Sequence, residues 1–99
     1  MSDVVVITGA SGGVGRATAR RFADDGAKIA LLARGEAGLE GIATEVEERG
    51  GKALVLPTDV SDAGEVEAAA QAAEEQLGPI DIWVNAAMTT CWRDSRREG

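Results

Sequence analysis

The sequence predicts an α/β fold built on a doubly wound, parallel β-sheet. Four short apolar runs alternate with longer segments in which apolar residues recur at helical spacing. The runs are unbroken, as in strands that helices cover on both faces. Each connection is long enough to carry a helical crossover between parallel strands. Right-handed crossovers then give four strands in the order 3-2-1-4, with ligands bound at the carboxyl ends of the strands.

The first predicted unit is a strand, a glycine-rich turn and a helix. The apolar run from Val4 to Ile7 ends where the glycines begin, and the helix starts at about Val14. Gly26 suits a left-handed cap at the end of this helix. Unpaired N–H groups and the positive end of the helix dipole point towards the turn, which predicts an anion site there. The residues predicted for the apolar face of the helix are Val14, Ala17, Thr18 and Phe22.

Three further strands and two helices follow in alternation. The second strand is predicted over 28–33 and the third over 53–56, and the amphipathic helix between them ends at Gly50-Gly51. Ser61 is a suitable N-cap for the next helix, which Gly78-Pro79 separates from a fourth strand over 80–85. The buried positions predicted for the two helices are Leu39, Ile42, Ala43 and Val46 in the first, and Ala63, Val66, Ala70, Ala73 and Leu77 in the second.

Size, charge and composition argue against several classes of function. With 99 residues and a net charge of -7, the chain is at most one acidic globular domain, which argues against unassisted binding to nucleic acid or an anionic membrane. No apolar run reaches the roughly 20 residues that span a bilayer, and no signal peptide is recognised, so a cytoplasmic location is predicted. The single cysteine, Cys91, has no cysteine partner, and the chain has no histidine to share a metal site with it.

The glycine-rich turn matches neither of two common phosphate-binding patterns. A G-x-G-x-x-G fingerprint needs glycine or alanine where Thr18 stands, and a Walker A loop needs a Gly-Lys-Ser or Gly-Lys-Thr that is absent. The segment Thr8-Gly9-Ala10-Ser11-Gly12-Gly13-Val14-Gly15 instead resembles the cofactor loop of the short-chain dehydrogenase/reductase family, whose Rossmann-like sheet binds NAD(P). A structural turn in an unrelated α/β protein is the alternative. The resemblance implies cofactor-binding roles for Thr8, Gly9, Ser11, Gly13, Val14 and Gly15.

The resemblance extends to the ends of the second and third strands. Arg34 follows the second strand where an acidic residue would bind the adenosine ribose, and a cation there is typical of the family's NADP-preferring members. NADP is therefore expected as cofactor in preference to NAD. Asp59 and Val60 match the family's adenine contact after the third strand. The alternatives are a solvated surface arginine and a carboxylate with a turn or capping role.

A further match lies at the end of the fourth strand. Asn85 and Ala86 stand in a segment that resembles the family's Asn-Asn-Ala-Gly, which implies contact with the nicotinamide ribose. Ala86 replaces the second asparagine of that pattern, and Met88 replaces its glycine. Alternatively, Asn85 satisfies backbone groups between strands.

The family's catalytic residues have no counterpart in the sequence. In the family a later Asn, a Ser and a Tyr-x-x-x-Lys segment carry the chemistry, whereas this chain contains no tyrosine, and Lys28 and Lys52 both lie upstream. No catalytic residue is therefore predicted, and hydride transfer to or from a substrate carbonyl is not expected. Residues 89–99 lose the apolar period and become polar and rich in arginine. We expect 1–88 to form a dinucleotide-binding half-domain and 89–99 an irregular polar tail.

A truncation or frameshift after about Met88 is the interpretation that this tail favours, with an interaction tail as the alternative. The fourth strand would then lie at the edge of the sheet, where self-association is expected. The predicted function is the NADP(H)-binding portion of a short-chain dehydrogenase/reductase-type oxidoreductase. The alternative is a non-catalytic nucleotide-binding or interaction module. The expected partner is the dinucleotide, without nucleic acid or membrane.

Overall fold

The computed structural model describes residues 3–9, 13–34, 36–59, 61–85 and 90–93. The predicted α/β class is confirmed, and every strand and helix that the sequence predicts is present in these ranges. No helix among them is long and apolar enough to cross a membrane. The elements, in chain order, are β1 Val4–Thr8, α1 Gly13–Asp24, β2 Lys28–Ala33, α2 Glu36–Glu48, β3 Lys52–Pro57, α3 Ala63–Leu77, β4 Ile82–Asn85 and β5 Thr90–Arg93.

The strands form one sheet in the order β3-β2-β1-β4-β5. Strand β1 pairs in parallel with β2 and β4, and β2 pairs in parallel with β3, which confirms the predicted order 3-2-1-4. In this register Thr8 lies opposite Leu32 and Asn85, and Ala33 lies opposite Pro57. The carboxyl ends of β1 to β4 therefore meet at one edge of the sheet, which we call the carboxyl edge.

Strand β5 corrects the prediction of an irregular tail over 89–99. Its backbone pairs antiparallel with β4, from Asn85 opposite Thr90 to Ile82 opposite Arg93. The outer edge of a strand presents unpaired N–H and C=O groups, and a segment that returns beside it can pair with them whatever its side-chain pattern. The sheet thus continues beyond residue 88, and β4 is not the exposed edge expected to mediate self-association. Residues 89 and 94–99 lie outside the described ranges.

Helices cover both faces of the sheet, which explains why the strand sequences are unbroken apolar runs. Successive side chains of β1 and β2 point to opposite faces. Helices α1 and α2 pack on one face, and α3 packs on the other. The buried residues on the first face include Val5, Ile7, Ile29 and Leu31 with Ala19, Ala23, Leu39, Ile42 and Val46, and those on the second include Val4, Val6, Ala30 and Leu32 with Ala69, Ala73 and Leu77.

The buried faces of two helices differ from the prediction. In α1 the buried residues are Gly15, Ala19 and Ala23, whereas Val14 is 50% exposed and Ala17 is exposed. The buried positions of α1 are small residues one helical turn apart, and Val14 lies outside this stripe. Of the predicted face, Phe22 is half-buried and packs against the core. In α3 the predicted Ala73 and Leu77 are confirmed as buried, together with Ala69, whereas the predicted Ala63 is exposed. The predicted Val66 and Ala70 are half-buried. The buried positions predicted for α2 are confirmed for Leu39, Ile42 and Val46, and Ala43 is half-buried.

The N-cap of α3 is Asp62, not the predicted Ser61. One carboxylate oxygen of Asp62 accepts hydrogen bonds from the backbone N–H groups of Gly64 at 2.9 Å and Glu65 at 3.3 Å. Asp and Ser are equally good N-caps, so their order in the sequence could not decide between them. The hydroxyl of Ser61 is used elsewhere, because it donates to Asp59.

Candidate functional site

The glycine-rich turn is attached to the carboxyl edge at its first residue. Gly9 follows β1 directly, and its N–H donates to the carbonyl of Leu32 in β2 at 2.8 Å. Its φ of 72° lies in the left-handed region, which a residue with a Cβ rarely adopts. The turn therefore leaves the sheet in a direction that glycine permits and that other residues would strain.

Helix α1 begins above this edge with its N-terminus free of acidic residues. Its first residue is Gly13, and no side chain in its first turn is acidic. Among the described residues, no atom outside the immediate surroundings lies within 4 Å of the point where a Cβ on Gly13 would stand. Among the described residues, the position of a Cβ on Gly13 is therefore open, and the N–H groups of the first turn have no partner within the helix. This arrangement suits an anion that approaches the backbone closely.

Two of the predicted site residues are tied to the sheet itself. The Thr8 side chain is buried, and its hydroxyl donates to the carbonyl of Val84 in β4 at 3.4 Å. Asn85 ends β4 opposite Thr8 and is half-buried. Both residues thus lie at the centre of the carboxyl edge, where Thr8 links the ends of β1 and β4.

The ends of β2 and β3 carry an ion pair. An Nη of Arg34 donates to Oδ2 of Asp59 at 2.9 Å, while the Arg34 side chain stays 76% exposed and that of Asp59 32% exposed. Arg34 and Asp59 follow adjacent parallel strands, so both lie on the carboxyl edge, and the relative position of the two strand ends brings their side chains into contact. The sequence prediction assigned the two residues to separate parts of a cofactor and missed their pairing.

Ser61 and Glu65 complete this cluster, and neither was predicted as a site residue. The hydroxyl of Ser61 donates to Oδ1 of Asp59 at 2.6 Å, and its backbone N–H donates to the same oxygen at 3.0 Å. Glu65 accepts from the backbone N–H of Asp59 at 3.1 Å. The Ser61 hydroxyl and then Arg34 lower the pKa of Asp59 to about 2, and Asp59 in turn raises the pKa of Arg34. The Asp-x-Ser sequence is typical of such a turn and was the available signal.

The structure brings together the described members of the predicted site along the carboxyl edge. Thr8 ends β1, and Gly9 and the start of α1 from Gly13 to Gly15 come after it. Arg34 follows β2, Asp59 follows β3, and Asn85 ends β4. Val14 is half exposed beside the turn and is not part of the core. The predicted Ser11, Val60 and Ala86 lie outside the described residues.

Comparison with known proteins identifies this architecture. The family model described as short chain dehydrogenase matches residues 3–97. The chain belongs to the short chain dehydrogenase family. This confirms the resemblance carried by the glycine-rich turn, and it agrees with the α/β fold and the strand order.

Relatives of the chain in this family are considerably longer than the chain. A short chain dehydrogenase of Pseudocercospora fijiensis is 40% identical over 82 residues, which make up 83% of this chain and 26% of the relative. Two solved structures cover similar parts of the chain. An alcohol dehydrogenase from the archaeon Thermococcus sibiricus, complexed with 5-hydroxy-NADP, is 42% identical with a TM-score of 0.79, over 85% of this chain and 36% of its own. An NAD+-bound xylitol dehydrogenase is 35% identical with a TM-score of 0.76, over 80% of this chain and 30% of its own.

The chain therefore spans about a quarter of that relative and about a third of each structure. The part that it spans is the part with the glycine-rich turn and the first four parallel strands. The two structures contain different dinucleotides, one an NADP derivative and the other NAD+.

Proposed function

We propose that the chain binds a nicotinamide dinucleotide, NADP(H) in preference to NAD(H), as the cofactor-binding part of a short chain dehydrogenase-type oxidoreductase. The observation that carries the proposal is the position of Arg34 on the carboxyl edge, directly after β2, in which Leu32 accepts a hydrogen bond from Gly9 of the turn. An acidic residue at this point would bind the two ribose hydroxyls of NAD, whereas a guanidinium suits a 2′-phosphate.

The residues of the edge fit the parts of such a cofactor. The open space at Gly13 and the N–H groups of the first turn of α1 would accept a pyrophosphate, together with the turn through Thr8, Gly9 and Ser11. Arg34 would bind the 2′-phosphate, Asp59 and Val60 the adenine, and Asn85 and Ala86 the nicotinamide ribose. When bound, the nicotinamide ring supplies or accepts a hydride. The chain's own residues bind and orient the dinucleotide.

We propose further that the chain binds without turnover. It contains no tyrosine and no histidine, and its two lysines, Lys28 and Lys52, start β2 and β3 at the end of the sheet opposite the carboxyl edge. A proton donor of the Tyr-x-x-x-Lys type is therefore absent from the sequence, and neither lysine is placed to assist one. The missing proton donor favours the second candidate function, a non-catalytic dinucleotide-binding module, for the chain without a partner that supplies catalytic residues.

Titration of the purified chain with NADPH and NADH, followed by calorimetry or nucleotide fluorescence, tests the proposal. We expect both to bind, NADPH more tightly, and neither to be oxidised in the presence of small ketones or aldehydes. The variant Arg34→Ala is the control for preference, because it removes the phosphate ligand and leaves the turn and α1 unchanged. Absence of binding of either nucleotide to the folded chain would refute the proposed function.

We also propose a cytoplasmic location and no role in nucleic-acid binding. The net charge of -7 repels a polyanion, and a single cysteine is typical of proteins from reducing compartments. Cell fractionation tests the first proposal, and retention on a heparin column at low salt tests the second.

A further inference from the structure

The ion pair between Arg34 and Asp59 bears on the choice of cofactor. We propose that Asp59 is a specificity-determining residue, whose carboxylate competes with a ribose 2′-phosphate for Arg34 and thereby limits the preference for NADP(H) over NAD(H). The inference rests on the proposed dinucleotide site. It gives Asp59 a role that opposes that of Arg34, although both residues lie on the same edge.

The geometry places the competitor directly on the guanidinium. An Nη of Arg34 lies 2.9 Å from Oδ2 of Asp59, and 76% of the Arg34 side chain is exposed. A phosphate that arrives from solvent therefore meets a cation that already has an anionic partner. A bidentate contact between guanidinium and phosphate needs two N–H donors in one plane, so the phosphate must share the guanidinium with Asp59 or displace it.

Asp59 is fixed by contacts that do not depend on Arg34. Its Oδ1 accepts two hydrogen bonds from Ser61, and its backbone N–H donates to Glu65. The carboxylate therefore stays in place when Arg34 turns towards a ligand. Since the pKa of Asp59 is about 2, the carboxylate is ionised throughout the neutral range, and protonation does not relieve the competition.

The charge of the cluster distinguishes the two cofactors. One guanidinium, Arg34, and two carboxylates, Asp59 and Glu65, give a net charge of -1, and Glu65 also acts on Arg34 through its charge. A phosphate monoester carries about two negative charges at neutral pH. A ribose hydroxyl carries none. The excess negative charge of the cluster therefore opposes NADPH and leaves NADH almost unaffected.

The variant Asp59→Asn tests the inference, because it removes the charge and keeps the shape and a carbonyl oxygen that can accept hydrogen bonds. We expect the ratio of its NADPH affinity to its NADH affinity to rise roughly three- to tenfold, because any change in the proposed adenine contact affects both nucleotides alike. The gain should shrink at high salt, where exposed charges are screened. The fragments 2′,5′-ADP and 5′-AMP should show the same difference, since they differ in the 2′-phosphate alone.

The variant Asp62→Asn is the matched control. It removes the same charge three residues further on, and Asn is as good an N-cap as Asp, so α3 is preserved. The ratio of the NADH and NADPH dissociation constants should then stay within about twofold of the original chain. In the Arg34→Ala background the effect of Asp59→Asn should be much smaller, as a double-mutant cycle would show.

The outcomes separate this inference from the proposed function. If the folded chain binds neither nucleotide, both are refuted. If it binds them and Asp59→Asn leaves the NADPH preference unchanged, Asp59 does not compete, and the inference alone is refuted. If Asp59→Asn weakens NADPH more than NADH, Asp59 positions Arg34 for the phosphate, which is also contrary to the inference. Thermal melts establish that each variant is folded.

Discussion

The substitution Gly13→Asp separates the stability of α1 from its proposed role in binding. The space around the Cβ position of Gly13 is open among the described residues, so the Cβ of the new side chain meets none of their atoms within 4 Å. A carboxylate in the first turn of a helix interacts favourably with the helix dipole, by about 0.3 to 1 kcal/mol. We therefore expect the free energy of unfolding to stay the same or to rise by that amount.

Binding should respond in the opposite direction. Two unit charges about 4 Å apart repel each other by about 1 kcal/mol in water and about 4 kcal/mol near a protein surface. A carboxylate beside a pyrophosphate should therefore weaken NADPH and NADH alike, by roughly five- to a thousandfold. The variant Gly13→Ala is the control, because it adds a Cβ without charge.

Calorimetric titration and urea denaturation of the original chain and the two variants provide the measurements. The site is supported if Gly13→Asp is stable and binds both nucleotides more weakly than the original chain. Gly13→Ala should then bind both nucleotides more tightly than Gly13→Asp does. A stable Gly13→Asp variant that binds NADPH as tightly as the original chain would show that the pyrophosphate does not lie at the start of α1.

Three further predictions concern the fold and the edge cluster. Leu31 is fully buried in β2, so Leu31→Ala should lower the free energy of unfolding by about 2 to 5 kcal/mol, as urea denaturation would measure. A loss below about 1 kcal/mol would contradict the position of Leu31 in the core. A Cβ on Gly51 would lie 3.0 Å from the carbonyl oxygen of Ala27, so Gly51→Ala should destabilise the fold in thermal melts. A Cβ on Gly41 in α2 has no described atom within 4 Å, so Gly41→Ala should stabilise the fold by about 1 kcal/mol. The pKa of Asp59 is lowered from 3.8 to about 2 on folding, so its stabilising effect is present above pH 3.8 and is lost as the pH falls towards 2. The free energy of unfolding of the original chain should therefore fall relative to that of Asp59→Asn between pH 3.8 and 2. Parallel curves of unfolding free energy against pH for the two proteins would contradict the low pKa of Asp59.

The order and type of the elements could be predicted because pattern and topology agree. Unbroken apolar runs such as that of β2 require cover on both faces, and the helices between them provide it. The carboxyl edge follows from the parallel order, which puts Thr8, Arg34, Asp59 and Asn85 on the same side of the sheet. These conclusions depend on periodicity and chain direction, which are properties of the sequence itself.

Other features depend on distances that a pattern does not contain. The buried face of α1 has Gly15 rather than Val14, because the rotation of the helix about its axis depends on how the whole helix packs and not on the hydrophobicity of one residue. Strand β5 forms through backbone pairing, for which the polar side chains of 89–99 gave no signal. The contact between Arg34 and Asp59 requires the relative position of two strand ends, so each residue was assigned a role without its partner.

The antiparallel strand β5 also has a kinetic consequence for the sheet. A strand edge pairs with one neighbour at a time, so another strand can lie beside β4 after the four residue pairs with β5 have separated. Only four residues of sequence separate β4 from β5, and closing a short loop costs little entropy, so we expect this pairing to form early and to re-form quickly in hydrogen-exchange experiments. A parallel partner for β4 would need a longer crossover and would have to compete with it. Strand β5 thus covers the edge of β4, and a further strand on this side of the sheet either adds to the outer edge of β5 or takes the place of β5 beside β4.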